Sequence, residues 1–106
     1  MNLEIGTTYY RLTFADPKQT MPGLKPMVYV GLNIFSEPGE ENTYYFQDTV
    51  SACRYGLLGE GENVVVYSFK PKELGVDIIT LAEAVTAIDQ AYKNYIAAGE
   101  PKLVKV

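Results

Sequence analysis

The segment from Thr80 to Ala98 constrains the fold most. Thr80 and Glu83 stand at the spacing of a capping box, in which the threonine hydroxyl and the glutamate carboxylate each satisfy a first-turn N–H that the helix leaves unpaired. Leu81, Ala84, Val85, Ile88, Tyr92, Tyr95 and Ile96 then recur at three- and four-residue steps, while Glu83, Asp89, Gln90, Lys93 and Asn94 fall elsewhere. The spacing predicts an amphipathic helix closed by Gly99 and Pro101. Such a helix needs a second layer to cover its apolar face.

The chain before it supplies short strands separated by Gly and Pro. Thr7 to Phe14 is rich in β-branched and aromatic residues and stops at Ala15-Asp16-Pro17. Asp16 to Lys25, with Pro17, Pro22 and Gly23, reads as a loop carrying Met21 and Leu24. Met27 to Phe35 reads as a second strand, Ser36 to Asn42 as an acidic turn and Thr43 to Gln47 as a third strand. Asp48 is placed to cap a short helix over Thr49 to Tyr55, with Gly56 as its stop. Leu57 to Glu62 reads as a glycine-rich turn, and Asn63 to Phe69 as a fourth strand ended by Pro71. The tail Pro101 to Val106 fits either a frayed end or an added edge strand.

The order of elements predicts one α+β domain over residues 1–106: a mainly antiparallel four- to five-stranded sheet, a short helix, and one long C-terminal amphipathic helix packed on one face. The first two strands have no helical crossover between them, which argues against a parallel sheet.

Composition removes several functions. Thirteen acids stand against nine bases for a net charge of −4, and the bases are scattered, so neither a nucleic acid nor an anionic membrane surface is an expected partner. The first residues form no signal peptide, no stretch is long and apolar enough to span a bilayer, and Cys53 is the only cysteine, which together lead to the expectation of a cytoplasmic protein. With no histidine, Ser-His-Asp and Cys-His catalysis are excluded. Cys53 reads as a core or half-buried thiol, since its neighbour Arg54 would point away from it on a helix. Neither a zinc nor an EF-hand ligand pattern occurs, and the glutamates at 37, 40, 41, 60 and 62 read as solvated turns. Gly59-Glu60-Gly61-Glu62 lacks the third glycine of a phosphate loop and carries the wrong charge. No cofactor is expected.

Nine tyrosines remain to be explained. If Val28, Val30, Leu32 and Ile34 face the long helix with Tyr10, Leu12 and Phe14, then Tyr9, Arg11, Met27, Tyr29, Phe35 and Tyr45 share the far side of the sheet. That mixture matches the composition enriched at protein interfaces. The leading expectation is a non-enzymatic acidic domain that uses this face for homodimerisation or for masking a basic protein partner. The bland alternative is cross-strand tyrosines stabilising a sheet that the 16–25 loop covers. A third reading makes that loop a lid over a small-molecule or enzyme pocket lined by Tyr9, Arg11, Tyr29, Tyr45 and Asp48. A regulatory accessory domain without activity of its own fits the composition too.

Overall fold

The computed structural model describes residues 1–59 and 64–99. Its elements are β1 (Thr8–Phe14), β2 (Pro22–Leu32), β3 (Tyr44–Asp48), α1 (Thr49–Tyr55), β4 (Val66–Phe69), a 3₁₀ turn at Pro71–Glu73, β5 (Ile78–Ile79) and α2 (Leu81–Ala97). The five strands form one sheet in the order β4-β3-β2-β1-β5, with every pairing antiparallel. The α+β class, the short helix and the long C-terminal helix are therefore as the residue pattern predicts. Asp48 caps α1 through Oδ2, which accepts from the N–H of Val50 and of Ser51. Thr80 and Glu83 form the reciprocal capping box that starts α2.

Boundaries differ where local pattern is overruled by pairing. β2 begins at Pro22, so the last four residues of the expected 16–25 loop are strand, paired residue for residue with β1 from Thr8↔Val28 to Phe14↔Pro22. Beyond β3, the stretch Pro22–Pro26 has an unpaired edge. The Tyr29 N–H donates to Thr7 O on the β1 side, so even-numbered amides in the regular part of β2 point towards the β3 side. At Pro22 and Pro26 that edge lacks a donor, which blunts it against pairing with another strand. β5, only two residues long, was not anticipated. Of the expected fourth strand and the turn before it, residues 60–63 lie outside the described residues, as do Pro101 to Val106.

A bulge breaks the expected alternation in β2. Tyr29 pairs with Phe46 and Gly31 with Tyr45, leaving Val30 as the extra residue. Gly31 adopts φ +154°, and a Cβ there would lie 2.7 Å from the Ile34 side chain. Leu32 thus pairs with Tyr44 and leaves the side that Val28 occupies, and both Leu32 and Ile34 are exposed.

The sheet is curled. Between β1 and β4 lie two strands, about 14 Å in a flat sheet. Even so, the Arg11 guanidinium stands 5.6 Å from the centroid of the Phe69 ring. Curling brings Phe69 of one edge strand and Ile78 of the other into one cluster with Tyr9, Met27, Tyr29 and Phe46. Leu3 from the N-terminal segment and Leu74 from the β4–β5 connection pack against this cluster and close the concave face. On the convex face α1 covers β2 and β3, and α2 lies over β1 and β2.

Candidate functional site

The concave side is a core. Tyr9, Met27 and Tyr29 are 4%, 0% and 6% exposed, so these three residues of the expected binding face are consumed by the fold. Their rings are interlocked: Tyr9 meets Phe46 edge-on at 6.1 Å, Tyr29 meets Phe46 at 5.3 Å, and Phe46 meets Phe69 at 5.6 Å. The Tyr9 hydroxyl accepts from the Glu4 N–H, which anchors the N-terminal segment over the cluster. Burial raises the Tyr29 phenol above its ordinary value, with Tyr44 and Tyr9 adding to the effect. The expectation of an open tyrosine face is corrected for a physical reason: strand alternation reveals which residues share a side, but not that the sheet curls until its own edges cover that side.

The other expected residues are dispersed. Arg11 is exposed and lies against Phe69 at the rim of the concave face, while Lys25 lies over Tyr67 and donates to its hydroxyl at 2.6 Å. Phe35 and Tyr45 do meet, edge to face at 5.2 Å, in the β2–β3 hairpin, where the Ser36 and Tyr45 hydroxyls are 3.0 Å apart. Tyr45 pairs with Gly31 and Ser68, away from the Tyr29–Phe46 pair. Asp48 is occupied as the cap of α1. A pocket lined by Tyr9, Arg11, Tyr29, Tyr45 and Asp48 therefore does not assemble.

The loop between β1 and β2 is tied down. Asp16 accepts from the Thr20 hydroxyl at 2.7 Å and from the N–H groups of Thr20 and Met21. Asn94 of α2 donates to Gln19 O at 3.2 Å, which joins the loop to the helix. Beside it opens a cleft of about 620 Å³ between β1 and α2, bordered by Phe14, Gln19, Asp77, Gln90 and Asn94. Its polar side chains are the Gln19, Gln90 and Asn94 amides, the Thr13 hydroxyl and the Asp77 carboxylate.

Cys53 is exposed on α1, contrary to the expectation of a core thiol, because Ser51 takes the buried position of that short helix. Ser51 belongs to a polar knot under α1. Gln47 on β3, fully buried, donates from Nε2 to Ser51 Oγ and Gly56 O, and its Oε1 accepts from the Leu58 N–H at 2.8 Å. Ser51 Oγ accepts in turn from the Val65 N–H.

α2 holds the feature that alternation and composition had not separated. Its buried residues are Ala84 and Ala91, with Ala87 half-buried between them. These small side chains let the helix sit close on the sheet. Leu81, Val85, Ile88, Tyr92 and Ile96 are all exposed, Val85 and Tyr92 at 64% each. At 3.6 residues per turn, the large residues form an arc displaced by roughly 100° from the alanine arc. The expected single apolar face is thus two adjoining stripes, one of alanines on the sheet and one of large side chains on the outer flank, with Tyr95 half-buried between them. The signal was present as a size difference between the two arcs. Next to the flank, Tyr10 and Leu24 of the sheet and Leu81, Ala84, Val85 and Ile88 line an apolar groove of about 220 Å³. The ion pair of Lys93 with Asp89, at 3.0 Å, borders the stripe.

Among the described residues no group of three or more potential metal ligands comes together, and no helix is long and apolar enough to cross a membrane. Comparison with protein-family models, curated proteins and solved structures finds no match for this chain.

Proposed function

We propose that this chain is a non-enzymatic protein-binding domain whose docking surface is the outer flank of α2 with the groove beside it. The observation that carries the reading is the division of labour on α2, where alanines make the contact with the sheet and the larger apolar side chains face outward. Close approach through the alanines leaves the large residues uncovered on the outer flank, where turning the helix by roughly 100° would have brought them to the sheet. Contiguous apolar surface of this extent marks an interaction site on a soluble domain. The rest of the molecule supports binding over catalysis: the sequence has no histidine, Asp48 is engaged as a cap, and Arg11 lies on an aromatic ring. Self-association and the masking of a protein partner both fall within this reading. A cytoplasmic setting goes with it, in line with the single cysteine.

Site-specific photo-crosslinking in cells tests it. A photoreactive amino acid in place of Val85 or Tyr92 is expected to form a covalent protein adduct, and one in place of Thr86, on the polar side, is expected to form none. Absence of adducts at both 85 and 92, or equal labelling at 86, would sink the reading.

A further inference from the structure

Resting on the protein-binding reading, we infer that the occupant of the α2 flank is the α2 of a second copy, packed antiparallel across a two-fold axis that passes between Ile88 and Asp89. A two-fold axis demands a stripe that matches its own reverse. Val85 and Leu81 lie three and seven residues before Ile88, and Tyr92 and Ile96 lie four and eight after it. In antiparallel packing Leu81 therefore meets Ile96 of the second copy, and Val85 meets Tyr92. The smallest side chain of the stripe is matched with the largest, which keeps the layers of the interface equally thick.

Area and charge agree. Five large side chains, 43% to 64% exposed, present on the order of 500 Å² of surface, the Tyr92 hydroxyl included, and two such flanks buried in full come to the roughly 1,000 Å² that a specific interface must clear. The chain carries −4, yet the stripe itself is uncharged, and Asp89 beside it is paired with Lys93. Glu83, the other described carboxylate of α2, is held by Thr80 at the capping box. A basic partner would find no charge within the stripe itself, since both carboxylates of α2, Glu83 and Asp89, stand beside it. A second copy needs none.

Sedimentation equilibrium of the full chain between about 1 and 100 µM is expected to show twice the chain mass at the upper end. Val85→Glu and Tyr92→Glu each place charge in the contact, and each is expected to raise the dissociation constant by about 30-fold or more. Their far-UV circular dichroism and low-concentration melting curves should stay as in the wild type, because both side chains are exposed. Val85→Lys alone should also be monomeric, whereas Val85→Lys combined with Tyr92→Glu in one chain should recover the dimer. A wild type that remains monomeric at the highest concentration overturns the inference, as does a dimer that survives both glutamate variants or a double variant that fails to recover. If the wild type is monomeric while residues 85 and 92 crosslink to a different protein in cells, the second copy is excluded and the protein-binding reading stands. If those crosslinks are absent as well, both fall.

Discussion

Val28 and Tyr29 are neighbours on β2 and are buried on opposite faces of the sheet, Val28 opposite Gln47 and Tyr29 opposite Phe46. Val30, in the bulge that follows, is buried too. Lysine at position 29 or 30 would place an unpaired charge where water cannot follow. Tyr29→Lys and Val30→Lys are both expected to cost about 3 kcal/mol or more and to leave the chain largely unfolded. Urea unfolding followed by circular dichroism checks this. A folded Tyr29→Lys protein would show that the concave face opens to solvent after all.

Gln47 holds three separate pieces of chain at once. Its amide reaches Ser51 in α1, Gly56 at the end of that helix, and Leu58 in the turn beyond. Gln47→Leu keeps most of the volume but leaves a hydroxyl, a carbonyl and an N–H short of a partner, for an expected loss of about 3 kcal/mol. Ser51→Ala removes only one member and should lose about 1 kcal/mol. A double-mutant cycle on residues 47 and 51 should show coupling, and strict additivity would mean that water replaces the knot without penalty.

The N-terminus of α2 makes a smaller and cleaner contribution. Thr80 Oγ1 accepts from the Glu83 N–H at 3.2 Å, and Glu83 Oε1 accepts from the Thr80 N–H at 3.0 Å. Thr80→Ala is expected to lower stability by about 1 kcal/mol in thermal or urea unfolding. Because the site lies beside Leu81 and away from the centre of the outer flank, the same variant should associate as the wild type does. A change in association without a change in stability would contradict both statements.

Which parts of this molecule are legible in its residues follows from the range of the interactions involved. Asp48 before Thr49, and Thr80 three residues before Glu83, are local hydrogen-bonding arrangements, and both helix starts are where those residues put them. β5 is invisible locally: Ile78 and Ile79 become strand only because Tyr10 and Arg11 of β1 lie beside them. The bulge at Val30 is a long-range matter too, since it exists only relative to β3. The closed concave face depends on Leu3 and Leu74 arriving from segments far apart in the chain, so Tyr9, Met27 and Tyr29 read as surface until those covers are known. On α2 the periodicity was visible, but whether alanines or large residues meet the sheet is set by how closely the helix must approach it.

The loop between β1 and β2 carries the clearest dependence on pH. The Asp16 carboxylate is held below the ordinary aspartate value chiefly by the Thr20 hydroxyl; desolvation opposes this, and the Thr20 and Met21 N–H groups add to the lowering. With the folded pKa below the unfolded one, the unfolded state binds more protons in between, so stability rises with pH across that window. The contribution is therefore fully present at neutral pH and is lost as pH falls below about 4, through the folded value. Asp16→Ala should melt at a lower temperature than the wild type at pH 7, and the gap should narrow steadily as the pH is taken from 5 to 3. Comparing the two proteins at each pH cancels the titration of the other carboxylates. A gap that stays constant down to pH 3 would mean that the hydrogen bonds to Asp16 are as strong with a protonated carboxyl, and a gap that widens would reverse the sign of the linkage.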